Sequence, residues 1–257
     1  MKTWLTVALL LASPAFAQEN PMQPSEIWDD LRDSVVGLAQ EPQIDAAALD
    51  LDAPVRAHDA AFVPIRLTQA ADAPPLSDLM LVIDRNPAPV AAEYAFGAAL
   101  MPLDFEVRVR VDAYSDVRAI GTQADGGKIM AGRFVKASGG CSAPAGKDMA
   151  AIEAAKGEMR WKTGEQDGRT IGTLMIRHPM FSGLQRDQVT LLNIPANFID
   201  RLEVRQGDEM LFSMQAGISV SEDPVFRFAY RPNGQPISVH AEDVDGLVWD
   251  RSFAAGG

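Results

Sequence analysis

The residue with the clearest chemical potential in this chain is Cys141, the only cysteine among 257 residues. It lies in the segment VKASGGCSAP, whose other side chains offer almost no apolar surface to bury it. Glycines on its amino side remove side-chain bulk and let the backbone swing. We therefore predict an exposed thiol, with Gly139 and Gly140 as a flexible arm that another protein can reach.

Several kinds of thiol chemistry are compatible with this context. A lone cysteine is in general a small, inert, buried hydrophobe. The nearby Lys136 and Lys147 would instead favour the thiolate, which is the nucleophilic form. A single cysteine excludes an intrachain disulfide and a dithiol redox cycle within one chain. A carrier, a sensor or a mixed-disulfide partner is left.

Histidine and the known catalytic motifs add little to this picture. His58, His178 and His240 are far apart and lack metal-ligand spacing, so we predict no metal site. No nucleophile elbow, phosphate loop or haem-attachment motif occurs, so we predict no catalytic site and no cofactor. His178 ends a predicted strand before a proline, where a structural role is favoured; the alternative is a neighbour of the thiol acting as a base.

The first 17 residues have the features of a secretory signal peptide. An early lysine, an apolar run and the small-x-small ending Ala15-Phe16-Ala17 predict cleavage near Ala17 and a periplasmic protein. The apolar run is too short to cross a membrane, and no later segment is long enough. Removal of Lys2 with this peptide changes the formal net charge from −12 to −13. Such an acidic chain disfavours binding to nucleic acid or anionic lipid.

Two local patterns predict the elements best. SEIWDDLRDSVVG spaces Ile27, Leu31 and Val35 four residues apart behind the N-cap candidate Ser25, which predicts a short amphipathic helix. FEVRVRVD alternates strictly, which predicts a half-buried antiparallel strand with its apolar residues on one face and its charges on the other.

Short strand-like segments fill both halves of the chain, on either side of a Gly-rich and helix-favouring region. The pattern predicts an all-β protein of two immunoglobulin-like antiparallel β-sandwiches, joined by a Gly-rich and partly helical linker and docked through apolar faces. The predicted bounds are 1–17 for the signal peptide, 18–141 for the first domain, 142–170 for the linker and 171–257 for the second domain.

Longer stretches resemble a known family. FVPIRLT, VIDRNPAPVAAEYAFG, SDVRAIGTQADGGK and VKASGGC resemble SoxY, the subunit that carries sulfur intermediates on a cysteine during bacterial thiosulfate oxidation. IRHPMFSGLQRD, IPANFIDRLEVRQGDEMLF and QAGISVSEDPVFRFAY resemble its partner SoxZ. The order Y then Z is that of the fused SoxYZ-like carriers described beside quinoprotein (PQQ-dependent) dehydrogenases.

The resemblance implies covalent sulfur attachment at Cys141 and periplasmic redox or sulfur-oxidising enzymes as partners. Two departures from SoxY stand out: Ser142 follows the cysteine where SoxY has glycine, and 116 residues follow Cys141. The arm is therefore tethered at both ends.

Three functions from different classes are compatible with these residues. The first is a sulfur carrier without a catalytic site of its own. The second is an accessory or assembly module for a periplasmic quinoprotein dehydrogenase, in which the thiol is incidental. The third, an enzyme with Cys141 as nucleophile and His178 as base, is disfavoured because no third orienting group is evident.

Overall fold

The computed structural model describes residues 20–144 and 149–255. The predicted signal peptide and Lys147 lie outside these residues. The first half contains α1 (Glu26–Ser34), β1 (Asp50–Asp52), β2 (Val63–Thr68), β3 (Leu76–Ile83), β4 (Val90–Phe96), a 3-10 turn (Ala98–Leu100), β5 (Asp104–Val109), β6 (Ser115–Gln123) and β7 (Lys128–Val135). The second half contains α2 (Met149–Ala155), β8 (Met159–Gln166), β9 (Arg169–Ile176), β10 (Ile199–Gln206), β11 (Glu209–Ala216), β12 (Val225–Tyr230), β13 (Ile237–Asp243) and β14 (Val248–Phe253).

Helix α1 forms where its capping signal predicts it. The Ser25 hydroxyl accepts a hydrogen bond from the Trp28 N–H at 3.3 Å. The buried face is Trp28 and Leu31, whereas Val35 is 44% exposed, so the predicted face is wrong at its carboxyl end. Trp28 has the larger apolar surface to bury, and its ring packs 4.3 Å from the buried guanidinium of Arg118.

The described strands form two antiparallel sheets, which confirms the predicted fold class. One has six strands in the order β1-β2-β5-β12-β9-β8, and the other has eight in the order β14-β13-β10-β11-β4-β3-β6-β7. The predicted alternation in β5 is confirmed, because Phe105, Val107 and Val109 are completely buried between the sheets.

Both sheets run without interruption from the first half of the chain into the second. Strand β4 pairs with β11 in the larger sheet, and β5 pairs with β12 in the smaller one. The halves are therefore joined edge to edge by backbone hydrogen bonds, which the sequence analysis did not predict, in addition to the predicted contact between apolar faces. Pairing removes the exposed edges that two separate sandwiches would each have left.

The aromatic core crosses this junction as well. The Phe105 ring of the first half lies 5.2 Å from Phe212 and 6.1 Å from Phe228 of the second half, measured between ring centroids. A single hydrophobic cluster includes buried residues of both halves. The two halves thus share one core.

The predicted linker is shorter in the structure than its assigned range. Strand β8 and the first residues of β9 lie within 142–170 and form a hairpin. Asp167 and Gly168 make its two-residue turn, with φ of 50° and 73°. Asp-Gly is the preferred pair for such a turn. The pair therefore indicates a hairpin in a stretch whose polar composition favoured a linker.

No helix in residues 20–144 and 149–255 is long and apolar enough to cross a membrane.

Candidate functional site

Cys141 follows β7 on a loop at the junction of the two halves. Its side chain is completely buried, so the prediction of an exposed thiol is wrong for this arrangement. The residues next to Cys141 in the sequence do not bury it, as expected. Polar segments of both halves cover the sulfur instead. Cys141 belongs to neither hydrophobic cluster of the described residues.

Hydrogen bonds from both halves hold this loop. On the first-half side, the Gly139 and Gly140 N–H groups donate to the carbonyl oxygens of Asp112 at 2.7 Å and Val111 at 3.2 Å. The Cys141 N–H donates to Asp112 Oδ1 at 3.2 Å. On the second-half side, the Ser182 hydroxyl donates to the Cys141 carbonyl oxygen. The loop is docked, and release must break these bonds.

The two glycines predicted as a flexible arm are also required by this docked arrangement. Gly139 has φ of +78°, a conformation that other residues adopt only at a cost. A Cβ atom on Gly140 would lie 2.1 Å from the Ala60 carbonyl oxygen, too close for any side chain. Docking thus accounts for both glycines, and the mobility of the arm stays a prediction.

Burial makes the docked thiol a weak nucleophile. Loss of solvent, together with the negative charge of Asp112, raises the pKa of Cys141 to about 12. The positive charge of Arg110 and a hydrogen bond with Ser219 act in the opposite direction but are outweighed. At neutral pH the docked sulfur is therefore a protonated thiol.

Arg110 is the buried cation beside this thiol. Its side chain is 1% exposed, and Nη1 donates to the Gly140 carbonyl oxygen at 3.3 Å while Nη2 donates to the Met180 carbonyl oxygen at 3.5 Å. The guanidinium therefore joins the cysteine loop to the loop that follows β9.

Asn86, in the turn between β3 and β4, orders the same region. Its amide nitrogen donates to the Arg110 carbonyl oxygen at 2.7 Å and to Ser219 Oγ at 2.9 Å, and its amide oxygen accepts from the Asp112 N–H at 2.8 Å. One buried side chain thus positions the strand end that carries Arg110, the carboxylate that binds the Cys141 N–H, and the serine beside the sulfur.

His178 lies in the loop after β9 and has its own partners. Its Nδ1 accepts from the Met180 N–H at 3.0 Å, and its Nε2 faces Asp243 Oδ2 at 3.5 Å. Burial, together with the positive charge of Lys156, lowers the pKa of His178 to about 4. The ring orders the loop whose Met180 carbonyl oxygen accepts from Arg110. No hydrogen bond among the described residues joins the His178 ring to the Cys141 thiol.

Sequence reasoning missed Asn86, Arg110, Asp112, Ser182 and Ser219. The alternation in FEVRVRVD placed Arg110 on a charged, solvent-facing side, and Arg108 is indeed exposed. Arg110 is covered because loops from the second half pack over the end of β5, and strand periodicity contains no signal for that cover. Within the described residues, no group of three or more His, Cys, Asp or Glu could hold a metal ion.

Two family models match the chain in tandem. Residues 34–141 match the model of the sulfur oxidation protein SoxY, and residues 159–254 match that of the sulphur oxidation protein SoxZ. The chain is a fused SoxYZ-like carrier. The SoxY match ends at Cys141 itself, and the SoxZ match begins with β8. Through these two domains, the chain belongs with the carrier proteins of sulfur oxidation.

Among solved structures, the sulfur carrier protein SoxY from Chlorobium limicola f thiosulfatophilum matches the chain at 22% sequence identity. The match covers 42% of this chain and 89% of that chain, with a TM-score of 0.35. None of the curated proteins matches this SoxYZ-like chain.

Proposed function

We propose that this SoxYZ-like chain is a periplasmic carrier that holds a sulfur-containing intermediate covalently on Cys141 while partner enzymes process it. The observation that supports it best is the place of the thiol. It is the only cysteine of the chain, it stands at the last residue of the SoxY match, and polar contacts from both halves hold its loop in place.

Because the thiol is buried when its loop is docked, the carrier function requires two states of the loop, docked and released. In the docked state the sulfur is out of reach and protonated, so neither loading nor transfer takes place there. In the released state the glycines free the loop, and the thiol recovers its ordinary pKa and access. Docking therefore protects the thiol or its adduct from unrelated thiols and oxidants between encounters with partners.

The chemistry of loading calls for a redox partner. When the Cys141 thiol and the sulfur of a reduced substrate form an S–S bond, two electrons and the thiol proton are released. A chain with one cysteine cannot take these electrons by forming an internal disulfide. A periplasmic oxidoreductase with its own acceptor must accept them, and the carrier supplies only the attachment point.

Intact-mass analysis of the protein from its native periplasm tests this function. We expect a fraction of the chains to carry added mass that a neutral reductant removes, and we expect the Cys141→Ser variant to carry none. Ser142→Ala is the matched control, because it changes the neighbouring exposed residue and leaves the thiol in place. A bare thiol under all growth conditions, sulfur substrates included, would favour the accessory module of a quinoprotein dehydrogenase instead.

Export has a test of its own. Amino-terminal sequencing of periplasmic protein is expected to begin at or near Gln18, after the small-x-small ending of the leader. Full-length protein that starts at Met1 in the cytoplasm would contradict the periplasmic location.

A further inference from the structure

Arg110 has fewer partners than a buried guanidinium requires. It carries five N–H donors. Two nitrogens make the long contacts to the Gly140 and Met180 carbonyl oxygens, and Nε has no hydrogen-bond partner among the residues that the structure describes. None of the ion pairs among the described residues includes Arg110. The guanidinium is therefore a buried cation with spare donors.

The charged groups around Arg110 do not supply a complete counter-charge for its guanidinium. They are the carboxylates of Glu222 and Asp59 and the sulfur of Cys141. Both carboxylates act on the guanidinium through their charge alone, because neither forms an ion pair or a hydrogen bond with it among the described residues. The docked thiol is neutral. Because an unpaired buried charge is unfavourable, the site is poised for an anion that the empty carrier lacks.

A purely structural role explains less of this arrangement. The two carbonyl contacts join the cysteine loop to the Met180 loop, and a neutral amide such as glutamine could donate to both. A permanent charge and an unpartnered Nε are not needed for that purpose. They are useful where a planar fork of donors meets an anionic group.

We propose that Arg110 binds the negative charge at the end of a sulfur adduct on Cys141, and so holds the loaded arm docked more firmly than the empty one. This inference rests on the carrier function proposed above. The ligand class is an adduct with an anionic terminus, either sulfonate oxygens or a terminal sulfur. A neutral adduct would leave the guanidinium unpaired.

Two small adducts installed chemically test the charge. In mild denaturant the Cys141 thiolate attacks a divalent sulfur of tetrathionate, the central S–S bond breaks, thiosulfate leaves, and Cys–S–S–SO3⁻ is formed. Methyl methanethiosulfonate gives the neutral Cys–S–S–CH3 in the same way, with methanesulfinate as the leaving group. Both products are refolded by dialysis and verified by intact mass.

The measurement is the protection of each adduct against dithiothreitol, a neutral reductant. The removal rate in denaturant divided by the rate in the folded protein gives a protection factor, which corrects for the intrinsic reactivity of each disulfide. We expect the anionic adduct to be at least about tenfold better protected than the neutral one, which corresponds to about 1.4 kcal/mol.

Variants separate the charge from the fold. Arg110→Gln keeps donors without charge and should abolish the difference between adducts, while Arg110→Lys should keep part of it. Arg108→Gln removes an exposed charge two residues away on β5 and should leave the difference unchanged. If Arg110→Gln does not fold, the two adducts in the wild-type protein still decide, because only the anionic adduct gives the buried guanidinium a counter-charge.

Equal protection of the two adducts in the wild-type protein would overturn the inference, as would a preference that survives in Arg110→Gln. A persulfide-loaded sample then identifies which anion is preferred, by comparison of its protection factor with that of the sulfonate. Because all adducts are installed by reagents, failure here leaves the carrier function untouched, and a bare thiol in the native periplasm leaves the charge measurement valid.

Discussion

The absence of a Cβ atom at Gly140 allows the loop to dock and so to bury the Cys141 thiol. Its backbone lies against the Ala60 carbonyl oxygen, its N–H bonds Val111, and its carbonyl oxygen accepts from Arg110. No residue with a side chain fits there while the loop is docked. The same glycine that permits movement in the released state is therefore required for the docked state.

Gly140→Ala should release the arm without unfolding the protein. Overpacking of this kind costs about 1–3 kcal/mol, so we expect maleimide labelling of Cys141 in the folded state to become about ten- to hundredfold faster. The Ser142→Ala control should label within about twofold of the wild-type rate. Labelling that stays slow, together with a lower melting temperature, would show that the loop opens only on global unfolding.

At the scale of elements, a buried polar network fastens α2 and the loop after β9 to the end of β13. Lys156, just after α2, pairs with Asp243 at the end of β13 at 3.0 Å, and both side chains are buried. His178 faces the same carboxylate and accepts from the Met180 N–H. Because the Met180 carbonyl meets Arg110, this network supports one wall of the thiol site.

His178 should make the protein less stable in mild acid. Its pKa is about 4 in the folded protein and 6.5 in an unfolded chain, so between these values the unfolded state binds the extra proton. The stability is fully present above pH 6.5 and is lost as the pH falls towards 4, by up to about 3 kcal/mol.

Urea unfolding from pH 4.5 to 7.5 measures this dependence against His178→Asn, whose amide oxygen can still accept from the Met180 N–H. The variant should be less stable at pH 7 but should lose less stability on acidification. If both proteins lose stability in parallel, the acid sensitivity belongs to other groups and the folded pKa of His178 is not depressed.

At the scale of the whole molecule, the SoxY and SoxZ halves are one folding unit. Two strand pairings and a shared aromatic cluster cross the junction. Separation would expose the edges of β4 and β11 and the buried rings of Phe105 and Phe212. The thiol site also takes groups from both halves, since Asp112 binds the Cys141 N–H and Ser182 its carbonyl oxygen.

Gly97 directly follows β4, the strand that pairs with β11 across the junction. The substitution Gly97→Ala should therefore destabilise the whole protein. A Cβ atom at this position would lie 1.8 Å from the Met210 carbonyl oxygen of β11, and we expect a loss of about 3 kcal/mol or more. Gly164→Ala in β8, where no described residue beyond its two chain neighbours lies within 4 Å of the new Cβ, should change stability by less than about 0.5 kcal/mol.

Scanning calorimetry provides the measurement. We expect one transition for the wild-type protein, with equal calorimetric and van't Hoff enthalpies, and the same single transition at a lower temperature for Gly97→Ala. Two separate transitions, only one of them moved by the substitution, would show that the halves fold independently.

The sequence by itself determined the local features of this protein. Ser25 caps a helix, Phe105 and its alternating partners face a core, and Gly-Gly-Cys at 139–141 marks the thiol within stretches that resemble SoxY and SoxZ. Each of these signals arises from residues close together in the chain, where backbone preference and side-chain period act directly.

Only the tertiary structure decided what surrounds the thiol and how the halves meet. Arg110 is indistinguishable from the exposed Arg108 by strand period, and it is buried because loops some 70 residues away along the chain fold over it. The pairing of β4 with β11 likewise joins segments more than 100 residues apart. Contacts at such separation depend on complementary edges and on packing, which composition and periodicity do not encode.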